Sequence, residues 1–152
     1  MTYLKQLHKA HGIEVSGEAA YAAAARLARV QDRQTKWQVL TRLETQTKLR
    51  VAAAITILGD SAKGRRVEAW LGYVVGGLLA CLPWSVAIRV MRVLVVRATS
   101  FWERLEREHS DGDARLLAYL VAHERAQYDF AQDELGGQGD RSLEHVIQLL
   151  DA

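Results

Sequence analysis

VSGEAAYAAAARLARVQDRQTKWQVLTRLETQTK, from Val15 to Lys48, is the stretch that decides the fold. It reads as two helical stripes of apolar and small residues on either side of a polar break at Val30 to Asp32. Each stripe carries one carboxylate at its centre, Glu18 in the first and Glu44 in the second. Counted outward from residue 31, the two acids lie thirteen residues away on either side. On paired antiparallel helices rising about 1.5 Å per residue they stand at one height and face each other. A carboxylate inside an apolar stripe needs a proton, a cation or a metal beside it, so the pair predicts a polar site within a helical bundle.

Helical periodicity extends outward in both directions, and no segment alternates as a strand does. The first helix is expected from about Thr2 to Arg29, with Gly12 and Gly17 as weak points and Leu4, Leu7, His11, Val15, Glu18, Ala22 and Ala25 facing inward. The second runs from about Asp32, a capping residue, to Leu58 before Gly59, with Trp37, Leu40, Glu44, Val51, Ile55 and Leu58 on one side. A shorter segment around Arg66 to Cys81 then crosses to the far end of the bundle. Pro83 opens a helix that continues to about Glu108, burying Trp84, Ile88, Met91, Val95, Ala98, Trp102 and Leu105 and leaving Arg89, Arg92, Arg97, Arg104 and Arg107 on a solvated side. Ser110-Asp111-Gly112-Asp113 is a turn and cap cluster that launches a helix from Asp113 to Leu135, stopped by Gly136-Gly137. Ser142 to Leu150 forms a last short helix. The predicted class is all-α: two helical hairpins joined by a crossover segment, an antiparallel four-helix bundle with a short C-terminal helix.

Composition narrows the function. A chain of 152 residues, 49% of them hydrophobic, suits one domain spanning residues 1–152. A net charge of +2, with no continuous basic stripe, argues against nucleic-acid binding. The lone Cys81 excludes an internal disulfide and cysteine-based metal motifs and reads as an inert buried thiol in a reducing, cytoplasmic setting. Met1 to Lys9 lacks the apolar run of an export signal. Ala69 to Ile88 carries no charged residue and is about as long as a bilayer span, but Gly76, Gly77, Pro83 and Ser85 interrupt it. Two segments meeting at Leu82-Pro83 are therefore expected. Their apolar excess reads as a contact in a homodimer or with another protein partner, or as a peripheral membrane surface.

From Thr2 to Leu135 the arrangement resembles the ferritin-like superfamily of di-metal carboxylate proteins, including rubrerythrin-like members. In that superfamily two helices each supply one Glu and the other two each supply Glu-x-x-His. By this resemblance Glu18 matches the first lone Glu, Glu44 the first paired motif, and His123-Glu124 the second, and the implied cofactor is Fe or Mn. Thr47 stands three residues after Glu44 and Gln127 three after Glu124, where the histidines belong; His123, nearer the middle of its apolar face than Glu124, is the substitute imidazole. For the fourth carboxylate, Glu103 points to the arginine side, Glu106 sits nearer the turn, and Thr99 or Trp102 occupies the matching height.

Two functional readings follow. One is a metal-dependent redox protein acting on oxygen or peroxide, with Glu18, Glu44, His123 and Glu124 as ligands. The other is a metal-free, non-catalytic relative in which Lys48, four residues after Glu44, places its ammonium between Glu44 and Glu18, with Thr47 and Gln127 completing a polar core and function exerted through the surface. Membrane-surface contact through Ala69 to Ile88 would suit a lipid-soluble substrate. His8 and His11, which could serve as metal ligands with Glu14, read rather as capping or surface groups near a helix start, His109 as a helix-terminal charge, His145 as exposed, and Tyr119, Tyr128 and Trp102 as packing.

Overall fold

The computed structural model describes residues 2–109 and 112–152. Six helices follow one another: α1 Tyr3–Leu27, α2 Gln31–Ile57, α3 Arg66–Cys81, α4 Trp84–Glu108, α5 Ala114–Leu135 and α6 Glu144–Leu150. There is no strand among the described residues. Gly12 and Gly17 lie within an unbroken α1. Ser110 and Asp111 of the expected turn cluster lie outside the described residues. Asp113 caps α5, its carboxylate accepting from the backbone N–H of Arg115 and Leu116 at 3.1 Å each. Asp32 does not cap α2. Val30 takes the N-cap position without a side-chain bond, and Asp32 is drawn along the helix to Lys36 at 2.9 Å.

The chain breaks at Leu82–Pro83, as the proline requires, and no helix among the described residues is long and apolar enough to cross a membrane. Cys81, expected to be buried, is exposed, because it is the last residue of α3 at that corner.

α1 packs against both α2 and α3, and α4 packs against α5. Gln34 reaches the Ala25 carbonyl and Thr45 reaches Glu18, so α1 and α2 run antiparallel. Along α1 and α3 the close approaches are Ser16 with Gly72 and Ala20 with Gly76, an ascending order that makes these helices parallel. The approach depends on glycine: a Cβ at Gly72 would lie 2.2 Å from the Ser16 carbonyl oxygen, and one at Gly76 2.0 Å from that of Ala20.

Two apolar clusters fill the interior. One contains Tyr21, Trp37, Leu40, Met91, Val95 and Phe130; the other contains Leu7, Val51, Ile55, Trp102, Leu105 and Leu120. In sequence order the buried polar residues Glu14, Glu44, His123, Glu124 and Gln127 fall between them on α1, α2 and α5. A polar layer thus divides the core at mid-height.

At one end, buried Lys36 meets Glu134 at 2.7 Å. Glu134 also accepts from the Trp84 indole at 2.7 Å and from the Ser142 hydroxyl at 2.5 Å, tying α2, α4 and α5 to the segment before α6. Glu134→Ala would strand the Trp84 indole N–H and leave the Lys36 ammonium with Asp32 alone, and is expected to cost about 2 kcal/mol in thermal or urea unfolding.

Candidate metal centre

α1 presents Leu7, Glu14 and Tyr21 at seven-residue intervals along its buried face, so Glu14 points straight into the polar layer. Its side chain is wholly buried, and neither carboxylate oxygen has a hydrogen-bond partner. α2 brings in Glu44 and α5 brings in His123. The His123 Nε2 lies 3.3 Å from a Glu44 oxygen and 3.7 Å from a Glu14 oxygen. One ligand atom each from Glu14, Glu44 and His123 lies within 4.8 Å of the others, forming a buried triad able to coordinate a metal ion.

The surrounding residues hold the triad in place. The Gln127 amide donates to Glu44 at 2.6 Å, lies 2.9 Å from His123 Nε2, and accepts from the Tyr21 hydroxyl. Gln127 thus orients Glu44 and fixes the phenol of Tyr21. Glu124 lies on the other side of the imidazole, 3.9 Å from Nδ1, and accepts from the Trp102 indole at 2.8 Å. Glu103 and Glu106, the acids considered on α4, are both exposed.

Glu18 is not part of this centre. It is partly exposed, bonded to Lys48 and to the Thr45 hydroxyl at 2.5 Å. The carboxylate that approaches Glu44's partner His123 is Glu14, one helical turn earlier. The expected inward face of α1 was centred on the side of Val15 and Ala22, both only half-buried. Parallel packing of α3 against Ser16, Ala19 and Ala20 buries a second side of α1 and swings the centre of burial towards Glu14 and Tyr21. Gly17 faces α2, where a Cβ would stand 2.5 Å from a Glu44 oxygen. Its bare backbone gives the Glu44 carboxylate room.

Lys48 and Thr47 are also placed differently from expectation. Lys48 pairs with Glu18 and does not stand between the two acids, so no lysine or arginine ion-pairs with Glu14, Glu44 or Glu124 among the described residues. Thr47 is buried but turns away, donating to the Leu43 carbonyl at 2.9 Å and lying 3.4 Å from the Tyr119 hydroxyl. Glu14, weighed as a ligand together with His8 and His11, is the most deeply placed of the acids, but without them: His8 pairs with Asp60 at 3.0 Å, and His11 is buried. The seven-residue recurrence of Leu7, Glu14 and Tyr21 was the signal that marks it.

No family model, curated protein or solved structure matches this chain. The chemistry of the site therefore rests on its own residues.

Electrostatics follow from burial. Loss of water, followed by the charges of Glu44 and Glu124, raises the Glu14 carboxyl well above the usual range. Burial opposes a charged His123, but Glu44 and Glu124 outweigh it and raise its pKa. Burial pushes Glu124 up to about 7, with the neighbouring imidazole and the Trp102 hydrogen bond acting against the rise. Burial and the three acids keep Tyr21 a phenol. Three carboxylates around one imidazole make a site short of positive charge.

Proposed function

We propose that the chain is a single ferritin-like bundle whose polar layer binds one Fe(II) or Mn(II) ion through Glu14, Glu44 and His123 and serves redox chemistry on oxygen or peroxide. The observation carrying this reading is the buried Glu14 carboxylate, whose two oxygens have no hydrogen-bond partner although Glu44 and His123 stand beside it. Desolvating a carboxylate without a partner costs several kcal/mol, and either a proton, which burial favours on Glu14, or a cation shared with Glu44 and His123 removes that cost.

The donor set fits such an ion. Ligands about 2.1 Å from a common centre stand about 3 to 4 Å apart, as His123 Nε2 does from a Glu44 oxygen at 3.3 Å and from a Glu14 oxygen at 3.7 Å. Two carboxylates and one imidazole favour Fe(II) or Mn(II) over soft, thiolate-seeking metals. The bound ion would supply a redox-active Lewis acid and open coordination positions. Gln127 orients Glu44, and Glu124 lies behind the His123 ring.

The test is anaerobic titration of chelator-treated protein with Fe(II) and Mn(II), followed by elemental analysis after desalting. About one ion per chain is expected; protein that stays metal-free under both conditions would end this reading. A second reading then stands, a non-catalytic relative acting through its surface as a homodimer, and a separate observation favours it. Trp70, Leu71, Tyr73, Val74 and Leu78 of α3 are all exposed, a run of large apolar side chains of the kind that partners cover.

A further inference from the structure

Between α1, α3 and α4 an open cleft of about 490 Å³ leads into the polar layer. That volume lies within the range of small-molecule sites. Its walls are apolar, formed by Ile13, Val75, Leu79, Met91, Val95 and Phe101. Its inner end reaches Glu44, Glu124 and Gln127, all buried.

The rim has the opposite charge. Lys9, Arg97 and Arg104 line the cleft and are all exposed. Arg97 and Arg104 are two helical turns apart on α4, and neither makes an ion pair among the described residues. Lys9 comes from α1, with its ammonium 5.0 Å from the centre of the Phe101 ring, so the two helices place cations around one aromatic wall.

Charge is therefore segregated along the cleft: cationic at the mouth, apolar along the walls, acidic at the inner end. An anionic group is attracted to the rim and repelled from the interior, whereas an apolar chain gains by entering the walls. We propose that this cleft binds a single-chain, monoanionic amphiphile, its acid head between Lys9, Arg97 and Arg104 and its chain directed inward. The inference goes beyond the metal reading and does not depend on it, because walls and rim are formed without the triad.

The experiment is calorimetric titration with dodecanoate below its micelle concentration, on chelated and on Mn(II)-loaded protein. Dodecanol and dodecyltrimethylammonium are the neutral and cationic controls. Dodecanoate is expected to bind in both metal states, and at least roughly tenfold more tightly than either control. The double variant Arg97→Glu with Arg104→Glu changes only exposed side chains and is expected to lose at least roughly tenfold in dodecanoate affinity. Ala98→Phe, at a half-buried wall position, is expected to block all three chains.

Equal binding of dodecanoate and dodecanol, or unchanged affinity in the charge-reversed variant, would overturn the assignment of an anionic ligand. Unchanged affinity in folded Ala98→Phe would overturn the location. Absence of dodecanoate binding would end the proposal, including the case where the protein instead sediments with phosphatidylcholine–phosphatidylglycerol vesicles. Amphiphile binding without metal uptake would remove the metal reading and leave this one intact.

Discussion

Glu14→Leu is expected to reduce Fe(II) and Mn(II) binding at least roughly a hundredfold while raising the melting temperature of the chelated protein. Both effects follow from one observation: the Glu14 carboxylate is fully buried and neither oxygen has a hydrogen-bond partner. Without metal, that group is a desolvated acid facing Glu44 and Glu124, so an apolar side chain of similar size relieves a cost of about 1 to 4 kcal/mol. With metal, the same group supplies one of three ligands. Glu18→Ala is the control, since Glu18 pairs with Lys48 at the partly exposed edge of α1. It should leave metal uptake unchanged and cost no more than about 1 kcal/mol. Calorimetric Mn(II) titration and differential scanning calorimetry separate the two variants. Wild-type metal affinity in Glu14→Leu would remove Glu14 from the centre.

The chelated wild-type protein should also show an unusual pH profile. Glu14 and Glu124 have raised pKa values in the folded state, that of Glu124 reaching about 7. An unfolded glutamate releases its proton near pH 4.3, whereas the folded protein holds these protons longer. Their contribution to stability is complete below that pH and is lost as pH rises through the folded value. For Glu124 alone the change is on the order of 3 kcal/mol. The melting temperature of chelated protein should therefore fall between about pH 5 and pH 8, and Mn(II), which takes the place of the protons, should flatten the fall. Glu14→Leu should show a smaller fall than wild type.

Gly76→Val is expected to destabilise the fold by about 3 kcal/mol or more. A side chain at Gly76 meets a backbone atom, the Ala20 carbonyl oxygen at 2.0 Å, which no rotamer change can relieve. α3 would have to move away from α1, opening the interface that Gly72 and Ser16 continue one turn earlier. Gly77→Ala is the matched control. Its nearest neighbour is a Leu27 methyl group at 4.0 Å, so the added methyl fits and should stabilise α3 by up to about 1 kcal/mol through helix propensity. Urea unfolding of the two variants measures the difference. Equal stability of Gly76→Val and wild type would mean that α1 and α3 do not pack this closely in solution.

Helix positions were legible because their causes are local. Pro83 stops α3 and starts α4, Asp113 caps α5, and the three- to four-residue recurrence of Ile88, Met91, Val95, Trp102 and Leu105 marks the buried face of α4. The presence of a polar layer was legible too, since Glu44 and His123 interrupt otherwise apolar faces. Which acid of α1 completes that layer was not. Glu14 and Glu18 are four residues apart and almost share a face, and only the azimuth of α1 distinguishes them. That azimuth depends on α3, whose glycines pack against the side of α1 that a two-helix reading leaves in water. Lys48 follows the same rule: its spacing allows a pair with Glu44, but its reach is spent on Glu18 once α1 has turned.

The sequence by itself determined six helical segments, their order, and an acidic and histidine-bearing middle to the core, because hydrophobic period, caps and breakers act over a few residues. Only the tertiary structure decided that Glu14 joins Glu44 and His123 while Glu18 remains with Lys48 at the edge. The reason is rotational: burial on a helix is set by all the neighbours that surround it, and α1 has two close ones on different sides.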